Sequence, residues 1–220
     1  SYSEDGLSDQ VSWAELHDLV SQLQQSLRAL GVTEKDRVAA WLPNGIEIYA
    51  VMLACASIGA IFSSVSPDFG SKGVLDRFGQ IKPKVLFTTT GYQYGGRQFS
   101  LTEKIIDVTK ELSSVEQVVV VSDNESEVSL LGECKTFEEF CSLFEPKEVS
   151  FKNLPFDHPL YILYSSGTTG APKCIVHRAG GLLLKHLVEH RLHCDVRPGD
   201  RVFYFTTAGW MMWNWLAAGL

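Results

Sequence analysis

The 220-residue chain carries 45% hydrophobic and 20% charged side chains, the balance of a globular protein with enough apolar surface to bury a core. Its net charge of -7 argues against nucleic acid as a partner, because phosphate backbones favour basic surfaces, but a nucleotide needs only a local positive site. Five cysteines (Cys55, Cys134, Cys141, Cys174 and Cys194) form no C-x-x-C pair and are odd in number, which predicts free thiols in a reducing compartment, the cytosol. The apolar stretch 208–220 contains Asn214 and is too short for a bilayer, so no membrane span is expected. The chain opens on Ser1 and closes inside that stretch, and a fragment of a longer protein is expected.

Ser12 and Glu15 stand at capping-box spacing, with Ser12 as N-cap. Apolar residues then recur at Trp13, Leu16, Leu19, Val20, Leu23, Leu27 and Leu30, the period of an amphipathic helix, closed by Gly31. A buried strand is predicted over 38–42, a Pro43-Asn44-Gly45 turn after it, a small-residue helix over 46–57 and a second strand over 61–65. This is a β-α-β unit. Residues 66–70 (SPDFG) form a loop at the carboxyl end of that strand, where open α/β sheets keep their ligands, although a plain Pro/Gly turn explains it equally well. A short helix around Val74 to Phe78 follows, then a strand over 85–89, a loop holding Gly95, Gly96 and Arg97, a helix over 101–112 and a strand over 118–121. Residues 122–134 are acidic and aperiodic, a surface loop. Thr136 and Glu139 cap a short helix reaching Leu143, and 145–159, with three prolines, reads as a connector. Helix alternating with strand means an α/β protein with a mostly parallel sheet.

The chain is organised around 161–177, YILYSSGTTGAPKCIVH. An apolar strand over 160–164 delivers the backbone into Ser165, Ser166, Gly167, Thr168, Thr169 and Gly170, and Lys173 follows. The glycines let N–H groups converge, the hydroxyls add donors and the lysine adds a full charge, which together suit a polyphosphate. An ordinary Ser/Gly/Thr turn rarely places four hydroxyls between an apolar strand and a lysine. The nucleotide P-loop pattern does not fit, because Ala171 and Pro172 separate Gly170 from Lys173 and Cys174 follows the lysine. Beyond the loop, Gly180 and Gly181 open a helix to about His193, and Pro198-Gly199-Asp200 turns into a strand expected over 202–206.

Other groupings are weaker. His186, Glu189 and His190 match the inverted zinc-protease motif H-x-x-E-H, with His193 one turn on, yet no later helix offers a third ligand, and a polar helix face is expected instead. Cys134 and Cys141 read as small apolar filler. Cys174 abuts Lys173, which could lower its pKa, but an inward residue on the strand after the loop is the simpler reading. Trp210, Met211, Met212, Trp213 and Trp215 form a dense aromatic and thioether cluster, either core or pocket wall.

YSSGTTGAPK resembles the phosphate-loop signature of the adenylate-forming acyl-CoA synthetases. SWAELHDLVSQLQQSLRALGV, DRVAAWLPN and ASIGAIFSSVSPDFG resemble the amino-terminal segment of that family, most closely its branch for short acids. KCIVHRAGGLLLKHLVEHRLHCDV and TTAGWMMWNW are most similar to its acetoacetate-activating members. The resemblance implies part of the family's large amino-terminal domain, with 1–144 as a first α/β subdomain, 145–159 as connector and 160–220 as the start of a second. It implies that a carboxylate attacks the α-phosphate of ATP, giving an acyl-adenylate and pyrophosphate, and that the thiol of coenzyme A then displaces AMP. The acid would be acetoacetate, serving lipid synthesis, with acetate and propionate as alternatives. Ser165, Ser166, Gly167, Thr168, Thr169, Gly170 and Lys173 would hold the phosphates with Mg2+ sharing the charge, Thr168 and Lys173 taking the catalytic part and no protein metal ligands being expected. Trp210, Met211 and Met212 would line the acyl pocket. Gly95, Gly96 and Arg97 would contact coenzyme A, although Tyr94 stands where the family pattern has an arginine. The family's adenine motif, ribose-binding aspartate, hinge and carboxy-terminal lysine have no counterpart here. A non-catalytic nucleotide-binding fragment is the reading of another class, and the chain alone is expected not to form acyl-CoA.

Overall fold

The computed structural model describes residues 2–3, 6–7, 10–122, 124–165 and 170–219. β1 (Tyr2–Ser3) and β2 (Gly6–Leu7) pair antiparallel ahead of α1 (Trp13–Ala29). The expected capping box starts this helix: the Glu15 N–H donates to Ser12 Oγ (3.2 Å) and the Ser12 N–H donates to the Glu15 carboxylate (2.7 Å), satisfying donors that a helix start leaves open. Leu16, Val20, Leu23 and Leu27 are buried along one stripe. Trp13, expected on the same stripe, is instead exposed, because it sits in the first turn, where it lines surface clefts rather than the core.

The chain continues through β3 (Arg37–Trp41), α2 (Ile46–Ile58), β4 (Ile61–Val65), α3 (Ser71–Ile81), β5 (Val85–Thr89), β6 (Gly91–Tyr94), β7 (Arg97–Ser100), α4 (Thr102–Glu111) and β8 (Gln117–Val121). Next come α5 (Glu125–Ser129), β9 (Lys135–Thr136), α6 (Phe137–Cys141), β10 (Pro159–Ser165), β11 (Lys173–Arg178), α7 (Ala179–Val188), a π-helical turn (Glu189–His193) and α8 (Met211–Ala217). One seven-stranded sheet runs in the order β11-β10-β4-β3-β5-β8-β9, parallel except where β11 returns against β10. Strand alternation divides its side chains. Val38, Ala40, Phe62, Phe87 and Leu163 join a core under α1, α2 and α6, whereas Ala39, Trp41, Leu86 and Ile162 join one under α3 and α4. Each fully buried Leu or Phe in these layers contributes roughly 2 kcal/mol.

Three stretches differ from expectation. Residues 91–100, expected as a loop, form the β6–β7 hairpin, in which Tyr92 stacks on Phe99 at 5.2 Å. Its two-residue turn is Gly95-Gly96 at φ 60 and 69, the left-handed conformation that such a turn demands. The acidic segment 122–134 contains α5, started by the Asn124 side chain accepting from the Ser126 and Glu127 N–H groups. Residues 202–206, expected as a strand, are assigned no regular structure. Their β-branched and aromatic composition suits a strand, but no neighbouring strand among the described residues supplies a ladder, and an unpaired strand leaves its backbone groups unsatisfied.

The connector 145–159 is tied down along its length. Gln24, 1% exposed, donates through Nε2 to Ser57 Oγ (2.6 Å) and to the Ser150 carbonyl (2.9 Å), and accepts at Oε1 from the Ser150 N–H (3.2 Å). His158 Nε2 lies 2.8 Å from the Gly59 carbonyl, and the Lys152 N–H donates to the Ser57 carbonyl at 2.9 Å. Strands on both sides of the connector share the one sheet. Gln24→Met retains the shape but strands the Ser150 backbone groups. It is expected to cost about 2 kcal/mol, seen in urea unfolding as a lower midpoint at unchanged slope.

Candidate functional site

In a parallel sheet the carboxyl ends of the strands lie along one edge, and ligands collect where successive connections leave to opposite faces. Here β3 continues into α2 on one face, and its neighbour β4 continues into α3 on the other. The crevice between them opens beside Pro43-Asn44 and Ser66-Pro67. The 206–209 segment closes over it. Asn44 Nδ2 donates to the Thr206 carbonyl (2.7 Å), and the Ser64 hydroxyl donates to the Ala208 carbonyl. Gly209 packs so near that a Cβ would lie 3.3 Å from both Val65 Cα and the Ser66 nitrogen.

β10, next to β4 and parallel with it, brings Ser165 to the same edge, and β11 starts back from it with Lys173. Ser165 and Lys173 are direct cross-strand partners. Ser165 is half-buried. Lys173 is exposed and forms no ion pair among the described residues. Gly170, also exposed, has φ 148, a conformation side chains rarely adopt. The structure therefore brings Ser165 and Lys173 together, with Gly170 three residues before the lysine. Ser166, Gly167, Thr168 and Thr169 lie outside the described residues. Beneath the loop, Tyr164 is turned inward: its hydroxyl pairs with that of Ser63 at 2.9 Å, and burial pushes its pKa upward. Cys174 packs against the core under α3 and α4. Burial raises its thiol pKa, so the lowering considered for its neighbour Lys173 does not prevail.

Gly95, Gly96 and Arg97 occupy the tip of the hairpin that leaves the same edge from β5, two strands beyond β4, with Arg97 exposed. The aromatic cluster divides. Trp213 is core, fully buried with its ring 4.9 Å from Tyr49 and 6.3 Å from Phe62. Trp215 stacks on His190 at 4.5 Å. Trp210 and Met211 are exposed and Met212 is half-buried, which leaves these three available as a wall. A separate cleft of about 420 Å³ lies between the starts of α1 and α2, the Val202–Tyr204 segment and α8, lined by Tyr49, Trp213 and Leu216 among others.

Glu189 and His190 of the H-x-x-E-H stretch are otherwise engaged. Glu189 pairs with Lys185 and with His193 Nδ1 (3.1 Å), and these contacts hold its carboxyl below the usual value. His190 Nε2 donates to the Trp215 carbonyl at 2.9 Å, and burial lowers the pKa of His186. Among the described residues no group of three or more His, Cys, Asp or Glu converges on a metal-sized space. No described helix is long and apolar enough to cross a membrane.

Sequence reasoning missed Asn44, Ser63 and Ser64 as parts of the edge. A readable signal existed for the serines, since two adjacent hydroxyls in an apolar strand need partners when buried. No comparable signal marked Asn44, whose partner is remote in sequence.

With this geometry in place, the chain matches the family described as AMP-binding enzyme over residues 3–220. It is 54% identical over 218 residues to acetoacetyl-coenzyme A synthetase of Rhizobium meliloti (strain 1021), covering 99% of the chain and 34% of that relative. Identity is 46% over 217 residues to acetoacetyl-CoA synthetase of Gallus gallus, covering 96% and 32%. It is 42% over 228 residues to malonamoyl-CoA synthetase vrtB of Penicillium aethiopicum, covering 100% and 32%. The solved acetoacetyl-CoA synthetase from Streptomyces lividans superposes with a TM-score of 0.88 at 43% identity, over 96% of this chain and 32% of that one. The chain thus spans about a third of the length of the curated relatives it matches. The family match over nearly every residue, on an α/β sheet with its loops gathered at the carboxyl edge, places this chain in the AMP-binding enzyme family.

Proposed function

We propose that the protein activates acetoacetate with ATP, through an acyl-adenylate, to give acetoacetyl-CoA, AMP and pyrophosphate. The observation that carries this reading is the cross-strand pairing of Ser165 with an exposed Lys173, which forms no ion pair among the described residues, at the carboxyl edge of the sheet. When the carboxylate displaces pyrophosphate, negative charge grows on the leaving group, and fixed donors and a cation placed there lower the barrier. In this reading Ser165, Ser166, Gly167, Thr168, Thr169, Gly170 and Lys173 hold the β- and γ-phosphates. Thr168 and Lys173 follow the charge as it moves, and Gly95, Gly96 and Arg97 meet coenzyme A. Mg2+ would ride on the nucleotide's own phosphate oxygens, which is how this ion often binds. It would supply neutralising charge.

Trp210, Met211 and Met212 are proposed as the acyl wall, and methionine's flexible thioether suits a four-carbon keto acid. The products named for the relatives, acetoacetyl-CoA and malonamoyl-CoA, both carry a second carbonyl β to the thioester, which acetyl- and propionyl-CoA lack. This supports acetoacetate over the simpler acids. Residues 1–144 and 160–220, joined by 145–159, would act as one incomplete AMP-binding unit. A cytosolic setting, with the product feeding lipid synthesis, accords with five unpaired cysteines.

In the full-length protein Lys173→Ala is expected to slow ATP–pyrophosphate exchange at least about tenfold, roughly 1.4 kcal/mol of barrier. An unchanged rate removes Lys173 from the reaction. With hydroxylamine trapping the activated acid, acetoacetate is expected to outcompete acetate, and a clear preference for acetate would move the assignment to the acetate ligases.

A further inference from the structure

Both ends of the phosphate loop touch one helix. Tyr164 leads into the loop, and the Arg77 guanidinium of α3 lies 4.3 Å from the Phe69 ring centroid and 5.7 Å from that of Tyr164. A cation held between two aromatic rings is an attractive contact, stronger as water is excluded. Arg77 also donates to the Gly73 carbonyl (2.8 Å), and no carboxylate pairs with it among the described residues. Pro172 leads out of the loop, and Gln80 Nε2 donates to its carbonyl at 2.8 Å, and to the Asp76 carbonyl at 2.5 Å. Arg77 and Gln80 are three residues apart and so share a face of α3. Proline has no N–H to offer the β10–β11 ladder, whose described pairs end at Ser165 and Lys173, and the Gln80 bond holds the Pro172 carbonyl directly before the lysine.

We propose that Arg77 and Gln80 are positioning residues for the nucleotide-phosphate site, a clamp by which α3 fixes the two strand ends that carry Ser165 and Lys173. The inference rests on the adenylation reading for its functional meaning. Lys173 is exposed and its charge acts from the end of a flexible stem, so only its backbone origin can be pre-set. A shift of that origin withdraws the charge from the phosphates of bound ATP and weakens ATP binding itself, which appears in KM. Phe69 extends the clamp to the 66–70 loop after β4, which links the β4 and β10 ends of the site.

Gln80→Glu keeps the shape but sets a carboxylate against a carbonyl oxygen, whereas Gln80→Lys restores a donor. Arg77→Met retains apolar packing without the cation. Hydrogen–deuterium exchange on the full-length protein is expected to show amides at the Ser165–Lys173 end of the hairpin exchanging about fivefold faster in Gln80→Glu and Arg77→Met, the worth of about one hydrogen bond. Gln80→Lys should return to the wild-type rate, and 37–41 and 85–89 should not change. In the full-length protein, the KM for ATP in pyrophosphate exchange should rise about fivefold in the two disrupted variants, with the KM for the carboxylate unmoved. A merely structural role would lower kcat and leave both KM values alone. Unchanged exchange at the hairpin end, equal effects of Gln80→Glu and Gln80→Lys, or an unmoved ATP KM overturns the proposal. If wild-type protein catalyses no pyrophosphate exchange with any short carboxylate, the adenylation reading fails, and the deuterium exchange still decides the clamp.

Discussion

The parallel pairing of β10 with β4 is the contact on which the site depends. It is short, with Tyr161 opposite Phe62 and Ile162 opposite Ser63, and it is reinforced from the side by the Ser63 hydroxyl donating to the Ile162 carbonyl at 2.9 Å. Without it, the hairpin bearing Ser165 and Lys173 would have no fixed relation to the β3–β4 crevice or to α3. Because the pairing is parallel, Ser165 emerges at the same edge as the 66–70 loop. An antiparallel alignment would have sent the Ser165–Lys173 end of the hairpin to the opposite end of the sheet.

Hydroxyls buried in that region are part of the same construction. Ser63 and Ser64 are fully buried in β4, and a buried hydroxyl without a partner costs about 1–3 kcal/mol. Ser63 finds Ile162 and Tyr164 in β10, and Ser64 finds Ala208. Each therefore ties the crevice strand to a distant segment, one leading to the Ser165–Lys173 pair and the other to Trp210–Met212. The polar groups that β4 must satisfy are thereby the groups that gather the site. The contrast with Lys173 is physical: its charge stays at the surface, where hydration costs nothing, and is available to an incoming anion.

Much of this could be read from residues in a row. The capping box at Ser12 and Glu15, the helix period from Leu16 to Leu27 and the apolar runs of β3, β4, β5, β8 and β10 report local preferences, and the structure has each of these elements. The β6–β7 hairpin was legible too, since Gly95-Gly96 between alternating aromatic residues is a two-residue turn signal, but the loop reading prevailed. The 202–206 segment shows the limit in the other direction. Strand composition alone makes no strand, because every ladder hydrogen bond needs a neighbouring strand.

By itself the sequence determined most of the helices and strands and the alternation that makes the sheet mostly parallel, and it is the ground for the phosphate reading of the loop, because hydroxyls, glycines and a lysine in that order suit a phosphate wherever they are placed. Tertiary structure alone decided which residues stand together. Strand order set β10 beside β4 rather than beside β8, the Asn44 and Ser64 bonds drew the 206–209 segment over the crevice, and α3 came to touch both sides of the loop. It also split one aromatic run into a core residue, Trp213, and exposed neighbours, Trp210 and Met211. The reason is common to all four: pairing and burial are settled between segments far apart in the chain, and no local pattern encodes the partner.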